Sequence, residues 1–287
     1  MTKYQERLVK VINYIEANLD LDLDTNKLCQ FAYLSKYHFH RQCSIFFGMP
    51  VMSIVKLLRL KRAAYQLAYR NEKIVDIALA NGYESHEAFS RAFKKIFNKS
   101  PSNFRRSPDW TLWRTQYEPI LKLRTKIMSH NVNFDVKIVD FSETLIASME
   151  HRAPPNLIGN TIKKFIEWRK SNRLPPSKSK TFNLVYDDPN ITAPENYRFD
   201  LCCSIDEEIE ENSHGVVNKV IPAGKCAVVR HIGSDDSIGL AVQYIYSDWL
   251  NNSNFEIRDF PIFFERVSFF PEVSESEMIT DVYLPIE

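Results

Sequence analysis

No apolar run in the 287-residue chain approaches the roughly 18 residues that a membrane-crossing helix needs. The N-terminus lacks the basic-then-apolar pattern of a secretory signal. The five cysteines (Cys29, Cys43, Cys202, Cys203 and Cys226) are odd in number and show no CxxC spacing. That argues against a disulfide framework and against a zinc site. Equally missing are a Ser/His/Asp order, a cluster of metal ligands and a glycine-rich phosphate loop, and His231 has no evident partner. The expectation is a reduced, cytoplasmic protein acting at the nucleoid, with no membrane association, catalytic residues, metal or cofactor.

Apolar residues make up 44% of the chain and aromatics 13%, enough to bury sizeable cores in two domains. The net charge of +1 hides a division. Residues 1–108 hold 18 Lys+Arg against 9 Asp+Glu, whereas residues 109–287 hold 19 against 27. A basic half joined to an acidic half suits a nucleic-acid-binding domain tied to one that avoids nucleic acid.

The basic half is one unit written twice. A shift of 50 residues superposes Ser35 on Ser85, Phe39 on Phe89, Arg41 on Arg91 and Phe47 on Phe97. Each copy reads as short helix, turn, longer helix. Thr25 is placed to cap a helix to about Ala32 with Leu28, Phe31 and Ala32 inward. Ser35 then caps Lys36–Phe47, and Gly48 supplies the left-handed stop. In the second copy Ile74–Asn81 is followed by a turn at Gly82 and by His86–Phe97, where Phe89, Phe93 and Phe97 form a buried stripe. Asn98 replaces the glycine, and Pro101 opens a short last helix. A long helix from Val51 to about Arg70 holds the two units apart. Recognition helices about 34 Å apart would enter successive major grooves from a single chain.

The stretch Ile77–Arg105, with Asn81-Gly82-Tyr83, Phe89-Ser90-Arg91 and Phe97-Asn98-Lys99-Ser100-Pro101, resembles the signature of the AraC/XylS family of bacterial regulators. The resemblance covers residues 6–106, including Arg59-Leu60-Lys61-Arg62-Ala63-Ala64. It implies promoter DNA read from Lys36, Tyr37, His40 and Arg41 on the first recognition helix. On the second it implies Ser85, His86, Glu87, Ser90 and Arg91, and helical spacing puts each set on one face. Arg41 and Arg91 suit bidentate contact with guanine, or else with a phosphate or an acid of their own domain. Lys94, Lys95, Lys99, Arg105 and Arg106 suit phosphate contact or plain solvation. His38 falls on Ala88 in the repeat and is expected to pack. The family also implies RNA polymerase as a partner.

Residues 109–131 are expected to be a linker between a DNA-binding domain at 1–108 and a second domain at 132–287. Trp110, Trp113 and Tyr117 could pin that linker to either side. Past it a second repeat appears at an offset of 80 or 81. Ile158-Gly159 matches Ile238-Gly239, and Trp168 matches Trp249. Phe182–Tyr186 falls on Ile262–Arg266, and Asp200 on Asp281. Each copy reads strand, helix, strand, strand, with an extra strand near Phe134–Val139. The expected fold class is therefore an all-α double helix-turn-helix domain followed by an α+β domain of duplicated β-α-β-β units. The latter would be a sandwich with a cleft at its pseudo-twofold junction.

This order, with Tyr186-Asp187-Asp188-Pro189, Gly224-Lys225-Cys226-Ala227, His231-Ile232-Gly233 and Thr280–Pro285, resembles the GyrI-like effector-binding domain. The pair of domains resembles Rob-type AraC members. Ser234-Asp235-Asp236 and Val267 stand where that family often has Pro-Tyr and tyrosine. The resemblance implies a ligand-facing carboxylate at Glu265, which the repeat sets against Val185, beside Phe263 and Phe264 on a strand. A carboxylate on an apolar face costs several kcal/mol unless paired, so it is either a salt bridge to Arg230, Arg258 or Arg266, or a receptor for a lipophilic cation. Candidate ligand walls are Trp168, Tyr186, Phe199, Tyr244, Trp249 and Phe263. Two alternatives stay open: hydrolysis of a small molecule with Glu265 as base, and protein docking through the acidic run Asp206–Glu211.

Overall fold

The computed structural model describes residues 3–130, 134–189 and 191–287. The chain divides into two compact units, residues 1–131 with 270–276, and residues 132–269 with 277–287. The domain boundary expected at residues 131 and 132 falls outside the described residues.

In the first unit the described helices are α1 (Lys3–Ala17), α2 (Thr25–Phe31), α3 (Lys36–Phe47), α4 (Val51–Tyr69), α5 (Ile74–Ala80), α6 (His86–Phe97), α7 (Pro101–Arg106) and α8 (Thr111–His130). Capping chemistry sets most of the boundaries. Ser35 Oγ accepts from the His38 amide and Ser85 Oγ from the Ala88 amide, each satisfying one orphan donor of its helix. Gly48 (φ 68°) and Asn98 (φ 54°) end α3 and α6 in the left-handed conformation. Helix α2 differs from expectation, because Asp24 rather than Thr25 caps it, accepting from Asn26 and Lys27 at 2.7 and 2.9 Å. Thr25 is already the first helical residue.

The core of this unit is aromatic at its second copy. Phe89, Phe93, Phe97 and Phe104 are all buried, and Phe93 and Phe97 stack at 4.4 Å. In α2, Cys29 is buried while Phe31 stays 41% exposed, stacked on Tyr14. His38 is exposed rather than packed. Phe39, Cys43 and Phe47 carry the inward stripe of α3, and the neighbouring position lies about 100° away around the helix.

The stretch read as a linker is α8, and it belongs to this core. Trp113, Tyr117, Ile120 and Leu123 are buried, and Trp113 Nε1 donates to the Leu57 carbonyl. Arg124 donates to Tyr117 Oη (2.7 Å) and pairs with Glu16 of α1 (2.5 Å), so a buried charge network fixes α8 to α1. No single described helix is long and apolar enough to cross a membrane.

The second unit carries β1 (Val136–Phe141), β2 (Thr144–Arg152), α9 (Ile158–Ser171), β3 (Thr181–Val185), β4 (Arg198–Ser204), β5 (Val216–Ile221), β6 (Gly224–Ile232), α10 (Ile238–Tyr244), β7 (Ile262–Arg266) and β8 (Ile279–Pro285). The eight described strands form one antiparallel sheet in the order β1-β6-β8-β7-β3-β4-β2-β5. The expected sandwich is thus a single sheet, with β3 and β7 paired at its centre. Strand β5, not anticipated, is the counterpart of β1. The two are exchanged: β1 pairs with β6 of the other repeat, and β5 with β2.

This exchange dictates the curvature. Only Ser142 and Glu143 join β1 to β2, a reach of about 10 Å, yet six strand spacings of about 4.8 Å separate them in the sheet order. The sheet therefore curls enough to bring the end of β1 within that reach of the start of β2. Its inner face closes on Ile146, Phe182, Leu184, Cys202, Ile221, Cys226 and Phe263. The outer face is covered by the two helices, α9 over Ala147, Met149 and Leu201, and α10 over Ala227, Val229 and Val282.

Two equivalent histidines, His151 and His231, anchor the turns that lead into α9 and α10. His151 contacts Thr161 Oγ1 and the Pro154 carbonyl, and His231 the Ser234 carbonyl and Ser237 Oγ. Burial depresses both pKa values below the ordinary 6.5, against the opposing pull of the carbonyls. Below that value the unfolded chain takes up protons that the folded histidines refuse. Stability of this unit is therefore complete at pH values above the ordinary histidine pKa and falls as pH drops through it. Urea unfolding across that range measures the slope, and His231→Gln flattens it.

Candidate functional site

The DNA-facing candidates lie on α3 and α6. Lys36, Tyr37, Arg41, His86, Glu87, Arg91, Lys94 and Lys95 are exposed, with Tyr37 at 88%, while His40 and Ser90 are half-buried. A bare tyrosine of that size at the head of a helix has no packing role in its own domain. Phe39, Phe89 and Phe93 anchor the opposite sides of these helices, so the polar faces are presented by rigid elements. The Ser85 hydroxyl is engaged as the cap of α6, which positions the helix start. Glu87 has its carboxyl held below the usual range by its own amide and by Ser85. Arg105 is half-buried and donates to the Glu72 carbonyl at 2.5 Å, which ties α7 to the loop before α5. Lys99 similarly donates to the Ser107 carbonyl.

In the second unit Glu265 lies on the inner face of the curled sheet. Its carboxylate accepts from Tyr283 Oη at 3.1 Å and pairs with Lys180 Nζ at 3.0 Å, and its side chain is 14% exposed. None of the three arginines weighed as partners holds it. Arg230 forms a two-pronged pair with Asp281 (2.7 and 2.7 Å), Arg258 donates to Ala223 and Pro222 carbonyls, and Arg266 pairs with Asp235. Phe263 stacks on Tyr283 at 4.8 Å with rings nearly parallel, and Phe141 meets both edge-on. Burial, then the Glu265 charge, pushes the Tyr283 hydroxyl well above the usual tyrosine range, which keeps it a donor.

The repeat partner of Glu265 is Leu184 rather than Val185, because β3 and β7 are offset by 81 and not 80. Aligned so, Phe182 corresponds to Phe263, and Asp200 to Asp281. Asp200, which the repeat marks only by its match to Asp281, is the hub of a second cluster. Fully buried, it accepts from Lys219 (2.7 Å), Arg152 (2.8 Å), Tyr186 Oη (3.0 Å) and Ser148 Oγ (3.3 Å). Burial lowers the Lys219 pKa, but bonds to Asp200 and Glu150 outweigh it and leave the ammonium more strongly held than usual. Burial and the neighbouring Asp200 raise Tyr186 to about 12.

The expected aromatic walls do not gather around Glu265. Only Phe263 is beside it. Tyr186 belongs to the Asp200 cluster, where Arg152, Arg198 and Lys219 lie within 5.9 Å of its ring centre, and it lines a 500 Å³ cavity with Arg198, Tyr246 and Phe260. Trp168, on α9, and Phe199, on β4, are buried in one cluster on the outer face. Tyr244 and Trp249 line a separate 690 Å³ cavity beside β1. Strand alternation fixes which strand residues share a face, but says nothing of helix-borne rings. Lys180 and Tyr283, the actual partners of Glu265, and Phe141, which packs on Phe263 and Tyr283, come from three separate segments. Among the described residues no three acids, histidines or cysteines gather as a metal-binding group.

Comparison with known proteins gives two family matches. Residues 134–287 match the GyrI-like small molecule binding domain, and residues 28–107 a helix-turn-helix domain of AraC type. The probable transcriptional regulator YgiV of Escherichia coli is 41% identical over 157 residues, 54% of this chain and 98% of that protein. The transcriptional regulator Rob of Salmonella typhimurium is 33% identical over 98 residues, 34% of each chain. The solved EcmrR-DNA complex aligns over 92% of this chain and 99% of EcmrR, at 15% identity and a TM-score of 0.45.

The two acidic clusters separate by stability. Asp200→Ala removes the fully buried acceptor shared by Lys219, Arg152, Tyr186 and Ser148, leaves the two cations only Glu150, and is expected to cost about 1–3 kcal/mol in urea unfolding, chiefly from the hydroxyls left unpaired. Lys180→Ala removes a pair whose lysine is 62% exposed, leaves Glu265 its Tyr283 hydrogen bond, and costs less than Asp200→Ala in the same assay.

Proposed function

Because the chain belongs to the GyrI-like family through its C-terminal unit and carries an AraC-type helix-turn-helix domain ahead of it, we propose a ligand-responsive promoter-binding regulator whose effector is a small lipophilic cation. That it is a DNA-binding transcription regulator modulated by a small ligand follows from the family matches and the regulators it resembles. The residues that do so, and the chemistry of the ligand, are our reading. In that reading Lys36, Tyr37, His40 and Arg41 face one major groove, and His86, Glu87, Ser90 and Arg91 the next. Lys94 and Lys95 meet phosphate, and RNA polymerase is the partner through which binding changes transcription. The protein acts on the nucleoid in the cytoplasm and catalyses no reaction.

One observation carries the ligand chemistry: a largely buried carboxylate, Glu265, is neutralised by a largely exposed lysine, Lys180. Glu265 sits directly across from Asp281, whose charge Arg230 already balances. If Lys180 swings into water, one uncompensated negative charge remains at the edge of the Phe263–Tyr283 ring stack. A cation with an apolar body can replace the ammonium there, since the largely exposed Lys180 regains its hydration on leaving and the newcomer adds ring contact. Binding then reaches β7 and β8 directly, and any differential affinity for two states of the protein shifts its DNA binding.

Arg91→Ala is expected to weaken specific binding by about 1–3 kcal/mol and to relax preference at one base position. Lys95→Ala weakens all sequences alike and flattens the salt dependence. Fluorescence anisotropy on specific and random duplexes checks both, and equal losses for Arg91→Ala on the two DNAs would remove it as a base reader. Glu265→Gln is expected to lower affinity for a lipophilic cation at least tenfold, about 1.4 kcal/mol, by titration calorimetry, whereas Lys180→Ala raises it. An unchanged affinity in Glu265→Gln would contradict the proposed ligand site.

A further inference from the structure

The two halves of the second unit are offset by 80 residues up to the start of α9 and α10, and by 81 from β3 and β7 onward. One extra residue therefore enters the second half within its helix. The place is visible: α9 runs unbroken from Ile158 to Ser171, whereas α10 gives way at Ile245–Trp249 to a π-helical turn and then to a tight turn at Leu250–Asn252. A π turn holds one more residue than an α turn, so the insertion is absorbed there and the following strand keeps its register. The carbonyls disturbed by the change are re-satisfied by side chains. Asn251 Nδ2 donates to the Ser247 carbonyl (2.7 Å) and Asn252 Nδ2 to the Asp248 carbonyl (2.6 Å).

The insertion has a chemical consequence. In the first half Trp168 is 2% exposed and stacks on Phe165 within the core. Its counterpart Trp249 is only half-buried and borders the 690 Å³ cavity, together with Tyr244, Phe255, Ile138 of edge strand β1 and Asp248 of the π turn itself. Trp249 and Phe255 stack at 6.1 Å with rings 16° apart. Asp248 is exposed, and its carboxylate accepts from Ser247 Oγ at 2.8 Å. Three rings and one acid around a space of this volume suit a small flat cation, whose ring lies against the aromatics while its charge faces the carboxylate.

We propose that this π-turn cavity is a second ligand site, separate from the Glu265 face, and that it binds small planar aromatic cations. It lies on the helix-covered side of the sheet, opposite Glu265, and stands whether or not Glu265 receives a ligand.

Equilibrium dialysis of the full chain with N-methylquinolinium tests this, with uncharged quinoline at neutral pH as the charge control. Asp248→Asn is expected to weaken one class of binding site about threefold to fivefold, the size of one lost charge contact at an exposed position. Glu265→Gln leaves that class unaltered. Quinoline binds it at least tenfold more weakly than the cation does. Ile138→Trp, which fills the cavity from an edge strand without touching the helix, abolishes the same class. Binding that is lost in Glu265→Gln but indifferent to Asp248→Asn and Ile138→Trp overturns the second site while leaving the Glu265 reading intact. Absence of saturable binding up to millimolar cation overturns it as well. A single class sensitive to Asp248→Asn and indifferent to Glu265→Gln supports the π-turn site and removes the other.

Discussion

Two connections of two residues each shape the C-terminal unit. Ser142-Glu143 joins β1 to β2, and Pro222-Ala223 joins β5 to β6, yet each pair of strands lies near opposite ends of one sheet. No flat sheet satisfies both. The curl they impose produces an enclosed inner face lined by Phe182, Leu184 and Phe263, and an outer face that carries the helices. Every polar group on the inner face must then find its partner there. Asp200 finds four, while Glu265 finds a tyrosine and an exposed lysine. The contrast between a saturated acid and a loosely covered one is what makes Glu265 the candidate receptor.

The pseudo-twofold symmetry of the duplicated unit explains why Asp200 and Asp281 come in related places, and its breaks mark where the halves have diverged. At the Leu184 position the second half carries Glu265, and at the Cys202 position it carries Tyr283, so the donor and the acceptor of that hydrogen bond are both departures from the first half. The inserted residue of the π turn is a third departure. In the first half the same helix is regular and its tryptophan is core.

The helix-turn-helix half was legible almost residue by residue, because its signals are local. Ser35, Ser85, Gly48, Asn98 and Pro101 each act within one turn of where they stand. Thr25 misled because two adjacent residues, Asp24 and Thr25, are both good caps and only geometry chooses between them. The C-terminal half was legible as a repeat of elements but not as a topology. Strand exchange between β1 and β5 leaves no local trace, and the one-residue insertion shifted the apparent partner of Glu265 from Leu184 to Val185. Among the aromatic walls, Phe263 was recoverable from alternation along its own strand. Trp168, Phe199, Tyr244 and Trp249 lie on the other side of the sheet, and Tyr186 belongs to the Asp200 cluster, since a ring's side depends on packing that pairs distant segments.

The central claim is that one chain reads DNA with two helices under control of a small cation. Selection of bound sequences from random duplex DNA by the full-length protein, with and without a panel of lipophilic cations, tests it most directly. The account predicts an asymmetric motif of two elements about ten base pairs apart, with recovery altered by a cation. Absence of any motif in either condition would contradict specific reading by α3 and α6, and a motif indifferent to every cation would contradict the coupling to Glu265.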